Sequence, residues 1–295
     1  MIKRILVSFA YLRDSKPLLN RLLKFSNNYP NTEIMIDCGA FTSHRNNIKI
    51  SAEEYSDFLK SYKNIFNVNA SLDVIGDPDR TVKNYLKLIN LDTNVCPVFT
   101  RGCIKKHLEI FKNNMKKNQR IFIGGISRDV CSKEQIVAYL SEILIWLKEF
   151  NITFWHAFGL EDLKFLRAFK PPSCDATHFV IGGIRFGKIC VLGRGFRPVS
   201  IYKTDFVNNK MSSEIRSAIN QICSQEEIYQ LKRNPKSYIG NHSLVGNVSA
   251  RSGVLYQKFL KENFNVDLFL ACATIQSLDR VEAAYTWFEK GNKNG

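Results

Sequence analysis

Short runs rich in Val, Ile and Phe recur along this chain at nearly regular intervals, and few folds accommodate that pattern. They are "KRILVSFA" (3–10), "TEIMIDCGAF" (32–41), "VNASLDVIG" (68–76), "TNVCPVFT" (93–100), "RIFIGGIS" (120–127), "ITFWHAFG" (152–159) and "SCDATHF" (173–179). Strands covered by helices on both faces read this way, as brief apolar runs instead of an alternating pattern. The intervals carry helix signals. "SAEEYSDFLKSYKNIF" (51–66) opens with Ser51 and Glu54 at capping-box spacing. "DPDRTVKNYLKLINL" (77–91) has Pro78 at its first turn. "SKEQIVAYLSEILIWLKEF" (132–150) repeats a Ser-x-x-Gln cap and then spaces its apolar residues at helical period, and "LEDLKFLRAF" (160–169) is a shorter helix.

Strands alternating with helices predict a parallel α/β protein. A doubly wound sheet satisfies the alternation, but a (β/α)8 TIM-like barrel fits better. The polar residues Asp37, Asp73, Gly124, Gly125, His156 and Asp175 keep falling at strand C-terminal ends, which converge on one face of a barrel. An eighth strand is expected within 266–275, a stretch that reads equally well as a buried helix. Beyond about residue 180 the pattern changes. "RFGKICVLGRGF" (185–196) reads as a β-hairpin with Gly193 and Gly195 at tight turns. Residues 211–236 read as helical, and 250–290 as mostly helical. No internal repeat or flexible linker interrupts the chain, so a single domain over 1–295 is expected, with 180–240 as a nucleic-acid-binding insertion.

The chain has 295 residues and a formal net charge of +15. Such a balance speaks to partners and not to fold, and it favours a polyanion. Nucleic acid comes before membrane, because no lipidation signal or basic amphipathic anchor is evident. The eight cysteines form no C-x-x-C pair and several lie in apolar runs, as reduced thiols would. "MIKRILVSFAYLRDS" holds too short an apolar run for a signal peptide, and "VDLFLACATI" is too short to cross a bilayer. The expected location is the cytoplasm.

Three acids stand out. Asp37 and Asp73 each follow a strand, where an Asp often serves only as a turn or cap residue. Asp175 lies in an otherwise apolar or small-residue run, where a carboxylate needs a hydrogen bond, a counter-charge or a task. Carboxylates gathered on one barrel face suit chemistry at an anomeric carbon. One acts as nucleophile and holds a glycosyl ester, and another moves a proton to or from the leaving group. Asp175 also opens a ribbon, 176–203, with no acidic residue but with Arg185, Lys188, Arg194, Arg197 and Lys203 among glycines and aromatics. Such a ribbon suits phosphates. A sugar carbon beside phosphates points to a nucleotide within a polymer.

The ordered motifs also carry a family resemblance. "DCGAFT" (37–42) resembles the D-S-G-G-F/Y-Q motif of tRNA-guanine transglycosylases, "IGGIS" (123–127) their G-G-L segment, and "WHAFGLEDL" (155–163) their G-V-G-x-x-E-D-L segment. "CDAT" (174–177) stands where that family has its nucleophilic aspartate. The likeness spans roughly residues 30–180 and is closest to the phage-type relatives that act on DNA, the DNA-guanine (7-deazaguanine) transglycosylases, whose D-S-T-S-W…G-x-R-Y/F-G continuation "CDATHFVIGGIRFG" resembles. The resemblance implies base exchange, in which guanine in a polynucleotide is replaced by a 7-deazaguanine without ATP. It implies Asp175 as nucleophile, Asp37 as general acid/base, and Asp73 as reader of the guanine edge. It further implies Phe41 and His156 on either side of the base, and backbone contacts from Gly124 and Gly125.

The chain departs from the tRNA-acting branch at two places. The C-x-C-x-x-C motif that holds structural zinc there is missing, and Cys223 with His242 is too little for such a site. The base-reading Gln of the fourth strand is absent from "CPVFTRG". The expected partners are therefore DNA, with tRNA as the alternative, and a 7-deazaguanine base, with no cofactor. A non-catalytic nucleic-acid-binding relative and a small-molecule glycosidase or phosphate-binding barrel enzyme are the competing classes.

Overall fold

The computed structural model describes residues 2–126, 131–182, 188–202, 205, 211–233 and 242–291. Two compact units divide the chain, Ile2–Asp175 and Ala176–Gly295. The protein has a TIM-barrel-like α/β fold, with eight parallel strands in one sheet alternating with helices.

Seven of those strands lie in the first unit: β1 (Lys3–Ser8), β2 (Thr32–Asp37), β3 (Val68–Asn69), β4 (Val98–Phe99), β5 (Ile121–Ile123), β6 (Trp155–Ala157) and β7 (Ser173–Ala176, whose last residue belongs to the second unit). β1, β2 and β3 pair in parallel, as do β4 through β7. A parallel bridge between Ala70 and Cys96 links the two runs, so these strands succeed one another in chain order. That succession is the signature of barrel topology, since each right-handed crossover places the next strand beside the last. The sheet residues Ile5, Ile34, Ile36, Val98, Ile121 and Ile123 are completely or almost completely buried.

The helices begin where their capping residues stand. Ser51 Oγ accepts from the Glu54 amide at 3.1 Å at the start of the helix Ala52–Ser61. Asp77 caps Pro78–Asn90 through the Arg80 amide, which settles that acid as structural. Ser132 and Gln135 form a reciprocal capping box ahead of Lys133–Glu149. The structure also has helices at Lys16–Asn28 and Lys105–Asn114, in intervals that carry weaker signals.

The second unit has its own core, in which Ile189, Val191 and Ile201 pack with Ile219, Ile222, Val245 and Val248. The hairpin is real but shifted along the chain from 185–196. Its strands are β8 (Lys188–Leu192) and β9 (Pro198–Tyr202), paired antiparallel about a turn at 193–197. The turn takes positive φ at both Gly195 and Phe196, so the reversal falls at the C-terminal end of the stretch that reads as a hairpin. Of the stretch 211–236, residues 211–233 are described and hold two helices, Ser213–Ile222 and Gln225–Arg233, while 234–236 lie outside the described residues. Within 266–275 the chain forms a strand, β10 (Asp267–Cys272), the eighth of the sheet, between helices His242–Phe264 and Ile275–Glu289. No helix among the described residues is long and apolar enough to cross a membrane.

Candidate active site

Three acids stand at or just beyond strand C-terminal ends of the first unit. Asp37 closes β2, opposite Ser8 at the end of β1. Behind it the chain turns through Gly39, with φ +78°, into the helix Ala40–Arg45. A Cβ on Gly39 would fall 2.4 Å from Ser8 Oγ and 2.5 Å from Ala10 Cβ, so only glycine lets the turn pass this close to β1. The turn leaves Phe41 on the surface, 55% exposed.

Asp73 lies in the loop after β3, and the helix Pro78–Asn90 ties down both its neighbours. Asn84 Nδ2 donates to the Leu72 carbonyl, and the Val74 amide donates to Thr81 Oγ1. Cys38 Sγ donates to Asp73 Oδ1 at 3.1 Å. Burial, with the charges of Asp73 and Asp37 adding to it, pushes the Cys38 thiol well up, so it stays protonated and acts as a donor.

Asp175 is 5% exposed, on β7. Strand alternation turns Ser173 and Asp175 to the same side, and the register aligns Ser173 with His156 of β6. His156 Nε2 lies 3.2 Å from Asp175 Oδ1, and the Gly159 amide donates to the same oxygen at 2.8 Å. His156 Nδ1 lies 3.0 Å from Ser173 Oγ. A carboxylate oxygen can only accept, so Nε2 carries the ring hydrogen. Burial holds the imidazole below its usual pKa, countered in part by Asp175, and the ring is therefore neutral. Its bare Nδ1 then accepts from the Ser173 hydroxyl. The ring has 0% exposure and is enclosed by Phe122 and Phe158, each centroid 5.2 Å away. His156 thus has no free face to lay against a base, whereas Phe41 does.

The acids differ in environment. Asp37 has one carboxylate oxygen, Oδ1, fully buried with no hydrogen-bond partner among the described residues. Burial raises its pKa to about 7, with the nearby charges of Asp175 and Asp73 adding to the rise and Ser8 and the Gly39 amide opposing it. Asp73 is raised as well, chiefly by burial. A carboxyl poised near 7 can both give and take a proton at neutral pH.

Gly124 and Gly125 follow β5. The Gly124 amide donates to the Phe99 carbonyl. Gly125 has φ +74°, and a Cβ there would lie 2.6 Å from Arg101 Cβ, so the second glycine is required by fit and the first is not. In the second unit, Lys188 begins β8, while Arg194 and Arg197 are exposed on the turn and make no side-chain ion pair among the described residues. Nearby acids serve the backbone instead: Glu214 accepts from the Arg194 amide and Asp205 from the Tyr202 amide. Arg185 and Lys203 fall outside the described residues. Among those described, no group of three His, Cys, Asp or Glu could hold a metal ion.

Sequence reasoning passed over Ser173, Cys38 and the Gly159 amide. Ser173 was legible as the residue two before Asp175 on the same strand face. Cys38 and Gly159 offered no signal, because their roles depend on a loop and a strand end brought close by the fold. No protein-family model matches the chain, and no characterised protein matches it either. Fold and site together define the class: a TIM-barrel-like α/β protein with three acids at strand ends, one held by two donors and one poised to exchange a proton.

Proposed function

We infer that the protein is a base-exchange glycosyltransferase that replaces guanine in DNA with a 7-deazaguanine, such as 7-cyano-7-deazaguanine, through a covalent glycosyl–aspartate intermediate. The observation that carries this reading is the pairing of unlike carboxylates. Asp175 is fixed by donors to Oδ1, while Asp37 nearby has a pKa of about 7. Such a division of labour is what displacement at an anomeric carbon needs.

In the first half-reaction an Asp175 oxygen forms a bond to C1′ as the C1′–N9 bond breaks. The bonding pair leaves with guanine, which takes a proton from Asp37. In the second, N9 of the incoming base loses its proton to Asp37 and attacks C1′, and the ester pair returns to Asp175. Atoms and charge balance with no further reactant. Asp73, whose pKa is raised and whose loop is tied down, reads the base edge in this scheme, and the exposed Phe41 stacks on the base. Gly124 and Gly125 bring backbone to the same end of the sheet. The exposed Arg194 and Arg197, with Lys188, supply phosphate contacts.

The test is label release from guanine-labelled duplex DNA, single-stranded DNA and tRNA, each with 7-cyano-7-deazaguanine present. Release from DNA is expected. Release from tRNA alone would keep the chemistry and replace the polymer. Binding of polymer without release from any of the three would favour a non-catalytic nucleic-acid-binding protein.

A further inference from the structure

We propose that His156 is a positioning residue for Asp175: its Nε2–H and the Gly159 amide together hold Oδ1, which leaves Oδ2 as the oxygen that attacks. The attacking role of Oδ2 rests on the base-exchange reading, whereas the geometry that holds Oδ1 does not. Both donors reach the same carboxylate oxygen, at 3.2 and 2.8 Å, and Oδ2 makes no hydrogen bond among the described residues. A carboxylate free to rotate about its Cβ–Cγ bond would present either oxygen at a varying angle. Two donors on one oxygen stop that rotation and keep the lone pairs of the other unencumbered. Donors on the attacking oxygen itself would lower its nucleophilicity, so the asymmetry matters.

The imidazole is in turn held from behind. Ser173 Oγ is 3.0 Å from Nδ1 and 3.4 Å from the Trp155 carbonyl, so with hydrogen on Nε2 the hydroxyl holds the ring's second nitrogen. Phe122 and Phe158 enclose the ring. Other charges acting on it include Arg120 and Glu33, which pair with each other at 3.4 Å, Glu33 also pairing with Arg4 at 2.9 Å. Ser173, His156 and Asp175 therefore form a buried line of hydrogen bonds that ends at one oxygen of the candidate nucleophile. The arrangement resembles a serine-protease triad in its parts only. Here the acid is the reacting group and the histidine moves no proton.

The experiment has two arms. In the first, covalent adduct formation is followed in single turnovers on guanine-containing DNA, with the incoming base withheld. His156→Phe keeps a ring and loses the donor, and should slow adduct formation by about 100-fold, the scale of a misplaced reacting group, while the Kd for DNA stays within about twofold. His156→Gln can reach Oδ1 with its amide and should recover most of the rate. A folded His156→Phe variant that forms adduct at the wild-type rate overturns the proposal. The second arm needs no activity. Nitrogen-15 NMR of the His156 ring in the wild-type chain should show protonated Nε2 and bare Nδ1, with the Nε2 signal displaced in Asp175→Ala. A hydrogen on Nδ1, or a ring signal indifferent to Asp175→Ala, overturns the proposal even if base exchange is established. If the wild-type chain forms no adduct while the NMR arm succeeds, the base-exchange reading fails and the positioning geometry stands.

Discussion

Gly39 passes so near Ser8 that a single methyl group on its Cα would sit 2.4 Å from the serine oxygen. Two neighbouring strand ends are locked together at this point, and Asp37, two residues earlier, takes its place from them. Gly39→Ala combines this clash with a left-handed φ of +78°, and should cost about 1–3 kcal/mol of stability. Urea denaturation measures it. Gly124→Ala, whose added Cβ meets only ordinary neighbours at 3.6 Å and beyond, should cost less. Equal losses for the two would mean that the strand ends yield easily.

The raised pKa of Asp37 costs the folded state stability at neutral pH. The folded state holds a proton on Asp37 up to about pH 7, while the unfolded chain releases it near the ordinary value of 3.8. Between those two the native state binds more protons, so this group makes stability fall as pH rises from about 4 to about 7. Asp37→Asn removes the titration. The variant should match the wild type near pH 4 and exceed it at pH 8 in urea midpoint, with exchange activity lower by about 10²–10⁴-fold. A variant less stable than wild type at pH 8 would show that the carboxylate has a native partner.

The two half-reactions should respond to pH in opposite directions. Cleavage needs Asp37 protonated, so single-turnover adduct formation should decline above about pH 7. Attack by the incoming base needs Asp37 ionised, so discharge of the adduct should quicken over the same range. Rapid-quench measurement of each half separately is the check. Parallel profiles would move the proton to another group.

Asp175→Ala should abolish exchange and leave no denaturation-resistant adduct with DNA. Asp37 and Asp73 cannot replace it, because neither is held by the donors that orient Asp175. Denaturing gels after incubation with labelled DNA read the outcome, and persistent adduct would assign the nucleophile elsewhere.

Lys188, Arg194 and Arg197 should each contribute to the salt dependence of DNA binding. Neutralising any one of them should flatten the plot of log affinity against log salt by about one unit for each phosphate that is no longer neutralised. A triple neutral variant with the wild-type slope would mean that this hairpin faces away from the polymer.

The alternation of apolar runs and capped helices was legible in the sequence, because a parallel strand buried on both faces and a helix begun by Ser51, Asp77 or Ser132 leave local marks. Asp175 was legible for the same reason, as a carboxylate in an apolar run, whereas Asp37 and Asp73 after their strands read equally as turn or cap residues and stood out only together with it. The lengths of the strands were not legible. Val68–Asn69 and Val98–Phe99 are only two residues each, since pairing depends on neighbours far away in the chain. The same limit left the strand at Asp267–Cys272 balanced against a helix in the sequence, because its apolar run has no period that separates the two. It also hid the role of His156. The family resemblance put its ring against a base, and only the parallel register of β6 with β7 aligns it with Ser173 and, two residues on, Asp175. Local chemistry is written in residue order, but which donor meets which oxygen is set by strand register, and register is decided by the packing of the whole sheet.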